Sequence, residues 1–199
     1  YSLKNTKLLT KKQLERVFKI KLKKKIILST FHPVTLEVDK AKLHIQNLIK
    51  FLKLHNDKIV IFTSPNFDNE TQIIKKEIQI FTKKNSHVYF YNSLGRKGYL
   101  SFMKIAHLVI GNSSSGVLES PFFGTKTINI GDRQKGRIQS GNIINCDYKF
   151  KSIIRSYFMI KNKPKKKSNI FYKKNTPDLI AKKILNFNFN LKKKFYDFK

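Results

Sequence analysis

Tryptophan is missing from this 199-residue chain, cysteine occurs once, and acidic residues number 12 against 42 lysines and arginines. Each scarcity excludes something. A single thiol, Cys146, rules out an internal disulfide framework and a cysteine-rich zinc site, and it fits a reducing compartment. No apolar run approaches the roughly 18–20 residues of a membrane-spanning helix, and no stretch reads as a signal-peptide core. The expectation is a cytoplasmic protein that does not engage membrane. Methionine is absent from position 1, where Tyr1 stands. The expectation there is a processed start or the back part of a longer chain. What is present is 40% hydrophobic and 13% aromatic, with 17 phenylalanines, too apolar for a disordered basic tail. One folded domain with a real core follows.

The formal charge of +30 first points to nucleic acid, because phosphate neutralisation is the commonest use of a strongly basic domain. Its make-up argues otherwise. Thirty-seven of the basic residues are lysine and five are arginine, at Arg16, Arg96, Arg133, Arg137 and Arg155. Base-edge readout favours the planar arginine fork, so no specific nucleic-acid partner is expected. Seventeen asparagines and many isoleucines and phenylalanines accompany the lysines. All four types have A/T-rich codons, so compositional bias explains the set together, whereas a DNA-binding surface explains the lysines alone. The runs Lys23–Lys25, Lys165–Lys167 and Lys192–Lys194 read as solvated faces, with an anionic surface as the alternative.

Hydrophobic periodicity gives the organisation. Residues 1–22 read as a lead-in with one short helix, Thr10 its N-cap and Leu14, Val17 and Phe18 on one face. Continuously apolar runs then alternate with helical spacing. Strands are predicted at Ile26–Phe31, Ile59–Thr63, His87–Tyr91, Leu108–Gly111, Thr127–Ile130 and Asn142–Cys146. Helices are predicted at Leu36–Leu54, about 69–83, Tyr99–Ala106, Gly116–Phe123, Ser152–Ile160 and from Thr176-Pro177, with Thr176 as cap. Buried-type strands alternating with helices specify a doubly wound parallel α/β sheet, Rossmann-like, covered on both faces.

In such a sheet ligands sit outside the carboxyl ends of the strands. The strongest loop there is Gly111-Asn112-Ser113-Ser114-Ser115-Gly116, between a strand and a helix. Its hydroxyls and backbone N–H groups suit a phosphate, although it is neither a Walker loop nor a GxGxxG fingerprint. Glu119, three residues on, could accept hydrogen bonds from a ribose diol; a flexible loop with a helix-favourable glutamate is the equal alternative. Gly131-Asp132-Arg133-Gln134-Lys135-Gly136-Arg137 places three cations where a diphosphate could be clamped. His32, at the tip of the first strand, could contact a phosphate or move a proton, against a surface or capping role. His44, His55, His87 and His107 receive no role, Cys146 reads as structural, and neither a metal nor a cofactor finds support.

Together these loops resemble the hydrolysing UDP-N-acetylglucosamine 2-epimerase family, including the type that feeds sialic and legionaminic acid synthesis. The resemblance is carried by Thr30-Phe31-His32-Pro33-Val34-Thr35-Leu36-Glu37, Ser64-Pro65-Asn66-Phe67-Asp68, Ile110–Gly116, Glu119-Ser120-Pro121 and Asn129–Arg137, in order over roughly 8–187. It implies a glycosyltransferase-B-like fold of two Rossmann-like domains, this chain being the second half. The implied domains are 1–25, an interdomain lead-in segment with a short helix; 26–187, a Rossmann-like UDP-binding domain; and 188–199, a basic tail. By the same resemblance Ser113 and Ser114 hold the UDP diphosphate, Glu119 the ribose, and Arg133 the phosphates. His32 reaches the phosphate or reacting sugar as the catalytic residue of this half, and Asn66 lies near the substrate. The implied reaction is anti elimination of UDP to a 2-acetamidoglucal, then water addition to give N-acetylmannosamine. Its carboxylate acid and base belong to an N-terminal catalytic half, in the same or a separate chain. A homodimer is also compatible. The alternatives are a UDP-sugar glycosyltransferase half and a non-catalytic basic anion-binding module.

Overall fold

The computed structural model describes residues 2–34, 37, 39–168 and 170–187. The expected basic tail 188–199 and the Leu36 start of one predicted helix lie outside them. Six strands form one sheet: β1 (Ile26–Thr30), β2 (Ile59–Thr63), β3 (Val88–Tyr91), β4 (Leu108–Gly111), β5 (Thr127–Ile130) and β6 (Ile143–Cys146). Every pairing is parallel and the order is β3-β2-β1-β4-β5-β6. The doubly wound expectation is met. β1, β2, β4 and β5 are buried along their whole length, which is why they read as unbroken apolar runs rather than alternations.

The helices are α1 (Ser2–Asn5), α2 (Lys11–Phe18), α3 (Ala41–Lys53), α4 (Thr71–Lys83), α5 (Gly95–Ile105), α6 (Ser114–Leu118), α7 (Ser120–Phe123), α8 (Phe150–Lys161) and α9 (Thr176–Leu185). They divide the core into two. One cluster packs α3, α4 and α8 on one face of the sheet through Ile45, Leu48, Leu52, Ile74, Ile78 and Ile153. The other sets Leu14, Ile20, Leu22, Leu100, Phe102 and Met103 against the opposite face. Residues before the first strand therefore belong to a core. Tyr91 donates its hydroxyl to the Phe18 carbonyl at 2.8 Å, and an added Cβ at Gly98 would lie 2.7 Å from the Phe18 ring.

Thr10 caps α2 as expected, within a capping box that pairs it with Gln13. Four expectations change, the first being that the helix predicted from Leu36 begins only at Ala41. The single helix over 116–123 is two, because Pro121 has no N–H to donate to the Val117 carbonyl; the chain turns at Glu119 instead. Helix α5 starts at Gly95, four residues before Tyr99, because Gly95 takes a left-handed backbone (φ 58) that opens the first turn. Thr176 is inside α9 rather than at its cap: left-handed Asn175 (φ 55) holds that position, and the Thr176 hydroxyl donates to the Lys173 carbonyl at 2.6 Å.

Candidate functional site

The strand order reverses between β1 and β4, so the chain leaves these neighbours in opposite directions and a crevice opens at their carboxyl ends. The crevice floor is tight. The Asn112 N–H donates to the Thr30 carbonyl at 3.2 Å, and Gly111 sits at φ 141, where an added Cβ would stand 2.0 Å from that same oxygen. Only glycine lets the two strand ends come this close.

Asn112, fully buried, ties three loops together. Its side chain pairs with the backbone of His32, accepting the N–H at 2.7 Å and donating to the carbonyl at 2.8 Å. Its own carbonyl accepts Nε2 of buried Gln134 at 2.9 Å and Nη1 of Arg133 at 3.4 Å. The loops after β1, β4 and β5 thus share one asparagine. A buried polar hub with its partners met fixes a single geometry.

His32 is held from its other side. The Asn66 N–H donates to His32 Nδ1 at 3.1 Å, which leaves the neutral ring with its proton on Nε2. Burial, reinforced by the Arg133 charge, pushes its pKa from 6.5 down to about 4. At neutral pH this is an uncharged donor beside a guanidinium.

Next to it lies an open cavity of 370 Å³, of a size that suits a small ligand. Thr30, His32, Thr63, Arg96, Tyr99, Ser113, Ser115 and Glu119 line it, together with residues 92–95. Glu119 is half-buried at the α6–α7 turn. Burial raises its pKa and the nearby Arg96 charge opposes the rise. Hydroxyls dominate the floor: Thr30 and Thr63, in register on β1 and β2, approach to 2.6 Å, and Tyr99 reaches Ser115 at 2.6 Å.

The structure brings His32, Ser113 and Glu119 to one cavity. Ser114 opens α6 and stands outside that lining, where Ser115 takes the place beside Ser113. Asn66 stands behind His32, its side chain donating to Asp68 and its carbonyl accepting the Thr71 hydroxyl at 2.5 Å. Arg133 is exposed above Asn112. The cationic loop does not converge: Lys135 lines a separate 540 Å³ cavity with Glu37, Asp132 and Asp147, and Arg137 is exposed. Thr30, Asn112 and Gln134 lie inside the motifs quoted from the sequence but received no role of their own there, and neither did Thr63, Arg96 or Tyr99. Thr30 and Thr63 end strands, which was a usable signal; the others acquire their place only through packing. Among the described residues no group of His, Cys, Asp and Glu has an arrangement to hold a metal.

Solved structures share this doubly wound, Rossmann-like fold. A UDP-GlcNAc 2-epimerase from Neisseria meningitidis, solved with UDP-GlcNAc, superposes with a TM-score of 0.72 at 19% identity over 89% of this chain and 49% of that one. The Methanocaldococcus jannaschii enzyme, solved with UDP-GlcNAc and UDP, gives 0.67 at 19% identity over 85% and 48%. The chain belongs to the UDP-N-acetylglucosamine 2-epimerase family, whose profile matches residues 2–185. A GDP/UDP-N,N'-diacetylbacillosamine 2-epimerase (hydrolyzing) of Campylobacter jejuni is 46% identical over 146 residues, 73% of this chain and 38% of that protein. A UDP-N,N'-diacetylbacillosamine 2-epimerase (hydrolyzing) of Legionella pneumophila is 32% identical over 75% of this chain and 39% of that protein. The chain thus spans well under half of the curated relatives it matches.

Proposed function

We propose that this chain is the UDP-binding half of a hydrolysing UDP-N-acetylglucosamine 2-epimerase, with the nucleotide in the crevice between the β1 and β4 loops. The observation that carries the reading is the meeting of Ser113, Glu119 and His32 on one cavity wall. In it, Ser113 and Ser114 bind the diphosphate with Arg133, Glu119 accepts from the ribose diol, and Asn66 acts through His32. The neutral ring of His32 offers its Nε2 proton to the oxygen that gathers charge as UDP departs. A neutral donor with a depressed pKa suits that task, since it gives a hydrogen bond without carrying its own counter-ion. The carboxylates that take and return the C2 proton belong to an N-terminal half, in keeping with the share of the relatives that this chain spans. A 2,4-diacetamido sugar is the alternative substrate of the same reaction, because two relatives carry diacetylbacillosamine in their names. A cytoplasmic location is part of the reading, supported by the unpaired thiol of Cys146.

Isothermal titration with UDP tests it. Binding is expected, and Glu119→Ala should weaken it by about 1–3 kcal/mol if the carboxylate holds a buried diol. A folded protein that ignores millimolar UDP sinks the proposal; unchanged affinity in Glu119→Ala removes that residue's role. With the N-terminal half supplied, release of a free 2-epimerised sugar separates this reading from glycosyl transfer to an acceptor.

A further inference from the structure

Five hydroxyls form an unbroken line across the cavity floor. Thr63 Oγ1 lies 2.6 Å from Thr30 Oγ1, which lies 3.3 Å from the Tyr99 hydroxyl; that oxygen is 2.6 Å from Ser115 Oγ, itself 3.1 Å from Ser113 Oγ. All five residues line the cavity. The line begins on β2, crosses β1, passes through α5 and ends in the serine loop, so four separate segments of the chain meet in it. Tyr99 is its middle member and links the threonine pair to the serine pair.

A hydroxyl has one proton and two acceptor sites. Five hydroxyls joined by four contacts use four protons, so one O–H is left over, and it falls on whichever member every other donor points toward, whether an end or an interior hydroxyl that accepts from both sides. Donors running from Thr63 toward Ser113 leave the free proton on Ser113; the opposite sense leaves it on Thr63. An anion at the serine end selects the first sense, because each O–H then points along the line toward the negative charge and polarises the next. Burial raises the Tyr99 pKa, so its proton stays in place for this role.

We propose that Tyr99 is a positioning residue for a phosphate-bearing ligand: it relays the hydrogen bonds of Thr30 and Thr63 to Ser115 and Ser113, so that the serine loop meets the diphosphate as a donor. This rests on the UDP reading of the same cavity. It assigns no direct ligand contact to Tyr99. The relay acts on the phosphates and leaves the nucleoside end untouched.

The test is titration of the protein and of Tyr99→Phe with UDP and with uridine, folding being checked by circular dichroism. Tyr99→Phe deletes one oxygen and keeps the ring. UDP affinity should fall about tenfold while uridine affinity stays within about twofold. Thr63→Val, at the remote end, should cost UDP about threefold and uridine nothing, and it carries the test should Tyr99→Phe fail to fold. Equal losses for UDP and uridine would mean that Tyr99 only shapes the cavity, and overturn the relay. So would unchanged UDP affinity in Thr63→Val. Failure of the unaltered protein to bind UDP overturns the underlying UDP reading, and the relay with it, which distinguishes the two failures.

Discussion

His32 shows how much of a residue's chemistry lies in its neighbours. Imidazole ordinarily titrates near 6.5; here desolvation and the Arg133 charge bring it to about 4, with the Asn66 N–H fixing which nitrogen holds the proton. The consequence for stability has a definite sign. The folded protein prefers the neutral ring, and the unfolded chain takes up a proton at higher pH. The stability that His32 contributes is therefore complete above pH 6.5 and is lost as pH falls from there toward about 4. His107, lowered to about 4 by burial and by Lys25 and other lysines, adds in the same window. Thermal melts between these limits should show a steep fall that is shallower in His32→Gln. Equal falls in both proteins assign the window to other groups. Asn112 marks the limit of legibility at this scale. It was visible inside the serine-rich motif, but its service to three loops depends on where β1 and β5 lie.

At the scale of elements, the alternation of apolar runs and helical spacing was readable because buried parallel strands leave no polar face to blur the pattern. The boundaries that moved are those set by one residue's backbone: Pro121 splitting α6 from α7, and left-handed Gly95 opening α5 four residues early. Glycine at 111 is the most demanding position in the site. Gly111→Ala combines a φ of 141 with a Cβ 2.0 Å from the Thr30 carbonyl, so the end of β1 must move. The expected cost is about 2–4 kcal/mol in urea unfolding, together with weakened UDP binding. A variant as stable as the original would show that the strand ends can separate freely. Behind the site, Ser120 binds Gly116, Thr127 and Asn142 at 2.7, 2.7 and 2.9 Å, which anchors the α6–α7 turn to the starts of β5 and β6.

For the whole molecule, charge and core pull in opposite directions. Two hydrophobic clusters, one on each face of the sheet, hold together a chain with a formal charge of +30. Ion pairs such as Lys58–Asp57, at 2.8 Å and largely exposed on the aspartate side, offset little of that repulsion. Raising ionic strength from roughly 0.05 M to roughly 0.5 M should therefore raise the melting temperature, since screening relieves self-repulsion. A fall would show that attractive pairs dominate. Among the described residues no helix is long and apolar enough to cross a membrane.

Sequence alone sufficed for the fold class, the six strands and the loops at their carboxyl ends. These follow from local periodicity and from the rule that such sheets bind at their carboxyl edge. It also placed His32, Ser113 and Glu119 in those loops. Which residues keep company was settled by packing. Tyr99 joins Thr30 and Ser115 across 69 and 16 positions, Asn112 reaches His32 across 80, and Lys135 turns to a cavity apart from Arg133. Such contacts are set by strand order and helix packing, which bring together residues whose spacing along the chain carries no signal.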